Sequence, residues 1–195
     1  MNRELLICLL TISSVVWAQD CVPTNHRAGP SVTSPDGRHQ VLDVLCSNQG
    51  EGRSMAFVLL NIKSGERRNL YVYTRAAYAT WSPDSRWIAI NDYAGSDYTN
   101  NVVVSIDRDV TPIDLKKRLL QSKPKQDILR SDHLYLSTKG WKSESEIRLL
   151  AWGHDSGQKT GFCRCFLMSL AGPIRQCRLP SGAADPEEYC EKVKK

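Results

Sequence analysis

Trp81-Ser-Pro-Asp-Ser-Arg-Trp-Ile-Ala-Ile90 decides the fold, because the chain says nearly the same thing elsewhere. Its Ser-Pro-Asp core stands earlier in Ser34-Pro-Asp-Gly-Arg-His-Gln-Val-Leu-Asp-Val44 and returns, reduced, in Trp141-Lys-Ser-Glu-Ser-Glu-Ile-Arg-Leu-Leu150. The core is a turn with a mechanism. Proline at its second position presets φ for a type I turn, and aspartate hydrogen-bonds its own backbone. Gly37 then takes the left-handed conformation cheaply, whereas Ser85 at the same place in the second copy carries some strain.

Each copy is followed by the same programme of strand, loop, strand and turn. The first runs Gln40–Leu45, Ala56–Ile62, a tight turn at Lys63–Glu66 and Arg68–Tyr73. The second runs Trp87–Ile90, a polar loop Asn91–Thr99 and Asn101–Ile106. The third runs Ile147–Trp152, Gly153–Gly157, Phe162–Met168, a turn at Leu170–Gly172 and Ile174–Leu179. These runs are short, rich in β-branched residues and bounded by Gly, Pro, Asp and Ser. They predict an antiparallel meander used three times, over about residues 31–75, 80–115 and 138–180.

The first two copies resemble the blade motif of TolB-like β-propellers, in which a Trp-Ser-Pro-Asp-Gly element leads into the second strand of each blade. Ser64-Gly65 and Ala171-Gly172 stand where that family places a turn before the last strand. The third copy lacks the Pro-Asp of the motif. The resemblance implies an all-β fold: a small or incomplete β-propeller-like array, with one short helical insertion. Propellers close with roughly 4 to 8 blades. Three copies therefore leave open an incomplete array, two chains pairing as a homodimer to complete a ring, or a sandwich. A fourth copy would have to be assembled from Cys21–Thr33 and the segment His133–Ser137.

Between the second and third copies, about 111–122, Thr111-Pro-Ile-Asp114 has the form of a helix start, with Thr111 as the cap and Pro112 in the first turn. Ile113, Leu115, Leu119 and Leu120 share one side of the helix that follows, and Lys116, Lys117 and Arg118 are expected on a solvated face.

The N-terminus has a charged start, an apolar run from Leu5 to Val16, and small residues at Val16 and Ala18. That is the pattern of a signal peptide cleaved after Ala18, leaving 19–195 as a single domain that is secreted or periplasmic. The apolar run is shorter than the roughly 20 residues that span a bilayer, so no stable membrane insertion is expected. Cleavage also removes Cys8 and leaves an even set: Cys21, Cys46, Cys163, Cys165, Cys177 and Cys190. In an exported chain such a set points to disulfides. If Leu170-Ala-Gly172 is a three-residue loop with Gly172 left-handed, Ser169 faces Pro173 and Cys165 faces Cys177 across the hairpin. The other four allow three connectivities, of which Cys21–Cys46 with Cys163–Cys190 is favoured because it ties down the C-terminal tail.

Chemistry is sparse. Cys163-Arg-Cys165 is not C-x-x-C and no His pair stands at zinc spacing, so no metal is expected. Gly153-His-Asp-Ser-Gly157 has Asp where a hydrolase elbow needs Ser. No Walker or dinucleotide fingerprint occurs and no cofactor is expected. The net charge of +5 is scattered, without the basic-aromatic pattern of a nucleic-acid binder. The four histidines, His26, His39, His133 and His154, read as solvated or locally bonded. The best contact candidates are Asp92, Tyr93, Asp97 and Tyr98 in the polar loop, suited to a protein, peptide or saccharide ligand. Two functions follow. One is an exported, disulfide-stabilised, non-enzymatic binding or scaffold protein, which the resemblance implies. The alternative is a small secreted hydrolase in which Asp92 and Asp97 converge with His154.

Overall fold

In the computed structural model the chain folds into three antiparallel sheets set side by side. The structure describes residues 21–47, 53–96, 98–107, 110–124, 128–129, 131–154 and 161–178. The first sheet holds β1 (Pro23–Arg27), β2 (Val32–Thr33), β3 (His39–Cys46), β4 (Met55–Asn61) and β5 (Arg67–Tyr73). The second holds β6 (Ala77–Trp81), β7 (Trp87–Asp92), β8 (Asn100–Ser105) and β9 (Ile113–Asp114), followed by helix α1 (Leu115–Gln121). The third holds β10 (His133–Trp141), β11 (Glu146–His154), β12 (Phe162–Ser169) and β13 (Ile174–Cys177). This is an incomplete propeller-like array, as the repeats predict.

Both segments proposed as pieces of a fourth copy belong elsewhere. β1 and β2 both pair with β3 in the first sheet. His133–Ser137 opens β10, the first strand of the third sheet.

The Ser-Pro-Asp turns deliver the second strand of their sheets by the same bonds in both copies. Ser34 Oγ donates to Asp36 Oδ1 at 2.6 Å and accepts from His39 N at 2.9 Å. Ser82 Oγ donates to Asp84 Oδ1 at 2.6 Å and accepts from Trp87 N at 2.9 Å. Gly37 and Ser85 adopt φ of 71° and 63°. The serine has a reason to be there: Asp36 N donates to Ser85 Oγ at 3.0 Å, joining the turn of one sheet to the turn of the next.

The two central strands of the middle sheet, β7 and β8, are buried on both faces, which explains their continuous apolar runs Ile88–Ile90 and Val102–Val104. Ile88, Ile90, Val102 and Val104 pack with Val41, Phe57, Leu59 and Tyr73 of the first sheet. Ala89 and Val103, one residue out of step, pack with Leu136, Ile147, Leu149 and Met168 of the third. Tryptophans bolt successive sheets together. Trp81 Nε1 donates to Val32 O at 3.0 Å, and Trp141 Nε1 donates to Thr80 O at 3.2 Å, the residue just before Trp81. Between the second and third sheets, Asn91 exchanges bonds with the backbone of Thr138, and Thr99 with that of Leu136. These side chains satisfy the free edge of β10.

Helix α1 starts later than Thr111 would make it. Ile113 and Asp114 pair with Val103 and Val102, completing the second sheet, so Asp114 becomes the cap and its Oδ1 accepts from Lys117 N at 2.8 Å. Leu115 and Leu119 are wholly buried in the core between the second and third sheets. Arg118 is not left to solvent: its guanidinium donates to the carbonyls of Leu170 and Gly172 in the β12–β13 turn. That turn differs from expectation too. Gly172 is not left-handed, and its carbonyl is held by Arg118. The register is nevertheless the expected one: Cys165 lies opposite Cys177 and is bridged to it. A second bridge joins Cys21 to Cys46. Cys163 is also disulfide-bonded; Cys190, like the N-terminal segment 1–18, lies outside the described residues. Among the described residues no helix is long and apolar enough to cross a membrane.

Candidate functional site

The face of the first sheet turned to the second begins as core and ends as chemistry. Along β3 the residues on that face are Val41 and then Asp43, and along β5 they are Tyr71 and Tyr73. On β7 they are Ile88, Ile90 and then Asp92. Alternation therefore carries two carboxylates and two phenols to the same end of one interface. They pair: Tyr73 Oη donates to Asp43 Oδ1 at 2.5 Å, and Tyr71 Oη donates to Asp92 Oδ2 at 2.8 Å. Asn100 adds a longer bond to Asp92 Oδ2 at 3.4 Å, while Asp92 Oδ1 is buried without a partner.

Burial pushes both carboxyls above the ordinary range, against the lowering pull of the bonds they accept. Burial likewise raises the phenols, and the carboxylates they bond raise them further. The hydroxyls stay protonated donors.

The Asp43–Tyr73 couple lies in the wall of a cleft of about 270 Å³ between the two sheets. Val32, Val41, Met55 and Phe57 give it apolar walls, and Arg75 and Tyr78 line it as well. Gly29 lets the chain pass: a Cβ there would lie 2.4 Å from Asp43 Oδ2. Tyr78 is 63% exposed and meets Tyr93 edge-on at 5.9 Å. The polar loop is tied beside it, Tyr93 N donating to Ala76 O at 2.8 Å.

The sequence-predicted contact residues divide. Asp92 is 3% exposed and serves the sheet interface. Tyr93 is half-buried against Tyr78, and Tyr98 is exposed while its ring lies against Gly95. Asp97 lies outside the described residues. Asp92 and His154 are not brought together. Asp92 sits on the side of β7 facing the first sheet, whereas His154 stacks on His133 at the end of β11. Sequence reasoning missed Asp43, Tyr71, Tyr73, Arg75 and Tyr78. The available signal was Asp43 itself, a charge inside the apolar run Val41-Leu-Asp-Val44, where a buried carboxylate must find a donor.

No protein-family model and no curated protein matches the chain. Among solved structures it is similar to the β-propeller domain of the Trilobed protease from Pyrococcus furiosus, which has an open velcro topology. The identity is 12% over 77% of this chain and 43% of that one, with a TM-score of 0.51. It is also similar to a TolB homologue from Agrobacterium tumefaciens, 16% identical over 78% of this chain and 50% of that one, with a TM-score of 0.39. The chain thus spans less than half the length of the first of these. The first likeness shows a propeller fold and nothing more specific.

Proposed function

We propose that this chain is an exported, disulfide-stabilised binding module of TolB-like blades, without catalytic activity, which holds a protein or peptide segment at the cleft between its first two sheets. The observation that carries the reading is the cleft itself: apolar walls, a buried Asp43–Tyr73 couple, and Tyr78 and Arg75 beside it. At about 270 Å³ it falls just below the usual range for small-molecule sites and suits one large side chain. An exposed arginine such as Arg75 beside an apolar anchor point is what a protein-binding surface uses. Export is supported by the sequence pattern of residues 1–18 and by the bridges Cys21–Cys46 and Cys165–Cys177, which persist in an oxidising compartment.

Binding to a defined peptide array tests the reading. Arg75→Ala, at an exposed position in the cleft lining, is expected to weaken captured peptides about tenfold or more while leaving circular dichroism unchanged. Undiminished binding by that variant would overturn the cleft as the site. Turnover of ester or peptide substrates by the purified protein would overturn the non-catalytic reading.

A further inference from the structure

We propose that His133, His154 and Asp132 form a binding site for a divalent transition-metal ion such as Zn²⁺ or Cu²⁺, at the edge of the third sheet and away from the cleft. The histidines are far apart in sequence and stand at no zinc spacing, yet β10 and β11 pair His133 directly with His154. Directly opposed residues on one face of an antiparallel pair hold their Cβ atoms about 5 Å apart. The imidazoles accordingly stack with centroids 4.5 Å apart and planes tilted by 31°. Asp132 adds a carboxylate oxygen 4.0 Å from His133 Nε2. One ligand atom from each of the three residues lies within 4.8 Å of the others. Rotation of exposed side chains closes that spacing toward the roughly 3.3 Å that metal–nitrogen bonds of about 2.0–2.1 Å require.

The backbone beneath the pair is built for close approach. A Cβ on Gly153 would lie 1.8 Å from His133 O, so only glycine lets the two strand ends come so near. Ser131 Oγ bonds the carbonyls of both histidines, His133 O at 2.8 Å and His154 O at 3.0 Å, and fixes their spacing. His133 Nδ1 is buried with no hydrogen-bond partner, a ring nitrogen the fold does not use. Asp132 and His154 are exposed, so an ion has access.

The donor set selects the metal class. Two imidazoles with one carboxylate suit zinc, copper, nickel or iron, whereas calcium and magnesium take oxygen ligands. Three protein ligands leave a coordination position for water or an external group.

The test uses untagged protein from the exported fraction, stripped with a chelator and titrated with zinc chloride by calorimetry. One equivalent is expected to bind, with His133→Ala and His154→Ala each weakening the affinity about tenfold or more, and His26→Ala leaving it unchanged. Trp152 stacks on Tyr135 two rungs from the histidines, on the same face of the sheet, so Cu²⁺ is expected to quench tryptophan emission in the wild type and much less in His154→Ala. The exposed position of His154 spares the fold in that variant. Absence of saturable binding, or equal binding by the wild type and both histidine variants, would overturn the site.

Discussion

At the scale of single residues, the chain places charges where solvent is scarce. Asp43 and Asp92 share one interface, each neutralised in part by a tyrosine hydroxyl. Their carboxyls lie above the ordinary carboxylate range, with burial as the leading cause. A raised carboxyl means the folded state binds protons that the unfolded chain has already released. Stability from these groups is therefore fully present below the unfolded value and is lost as pH rises through the folded one. Asp36 acts in the opposite sense: bonds from Ser34 and Arg38 lower it, so its contribution fades as pH falls. Asparagine at positions 43 and 92 keeps an acceptor for each tyrosine and removes the charge. Urea unfolding of Asp43→Asn/Asp92→Asn is expected to show a shallower loss of stability than the wild type from about pH 4 to 7, with the two closest near pH 4. Parallel pH profiles would show that neither carboxyl titrates differently in the folded state.

At the scale of elements, the tryptophan of the repeated phrase proves to be a connector between sheets. Trp81 and Trp141 each donate to the carbonyl at the equivalent point of the preceding sheet. The first copy has Thr33 at that place, and no earlier described sheet for a tryptophan to reach. Helix α1 is the other connector, with Leu115 and Leu119 at 0% exposure between the second and third sheets. Leu119→Ala is expected to cost about 2–5 kcal/mol, and Trp141→Phe, which keeps the ring and loses the bond, about 0.5–1.5 kcal/mol. Denaturant midpoints with unchanged slopes would measure both; a larger loss from Trp141→Phe than from Leu119→Ala would reverse the ranking. Much of this level was legible. The strands after each turn followed from turn chemistry and alternation, and the Cys165–Cys177 bridge from hairpin register, whereas β6 and β10, which precede the turns, did not. The helix start was not, because Ile113 and Asp114 gain more as ladder partners of β8 than as a first helical turn. The site was less legible still. Asp43 and Tyr73 are neighbours through the strand between them, and His133 and His154 meet through a register that no local pattern announces.

For the whole molecule, the question is how an open array avoids pairing with its own copy. Repeats bury their faces against neighbours, and the terminal ones lack a neighbour on one side. Here the apolar side chains on the outer faces are buried. On the first sheet Leu42, Val44, Ala56 and Val58 are 8%, 5%, 0% and 2% exposed. On the third, Leu150 and Trp152 are 3% and 9% exposed. Among the described residues every bridged cysteine lies in these terminal sheets, Cys21 and Cys46 paired in the first, Cys165 and Cys177 paired in the third with Cys163 on the same sheet, and the middle sheet has none. Their chain separations of 25 and 12 correspond to about 3 kcal/mol each in the chain-entropy account. Staples of that size substitute for the closure that a full ring supplies. A second copy seeking to complete a ring would find these apolar side chains already buried. Light scattering on the oxidised protein is therefore expected to give the mass of one chain across a wide concentration range. A mass of two chains at low micromolar concentration would show that the terminal faces open to each other, and that the array is completed by pairing.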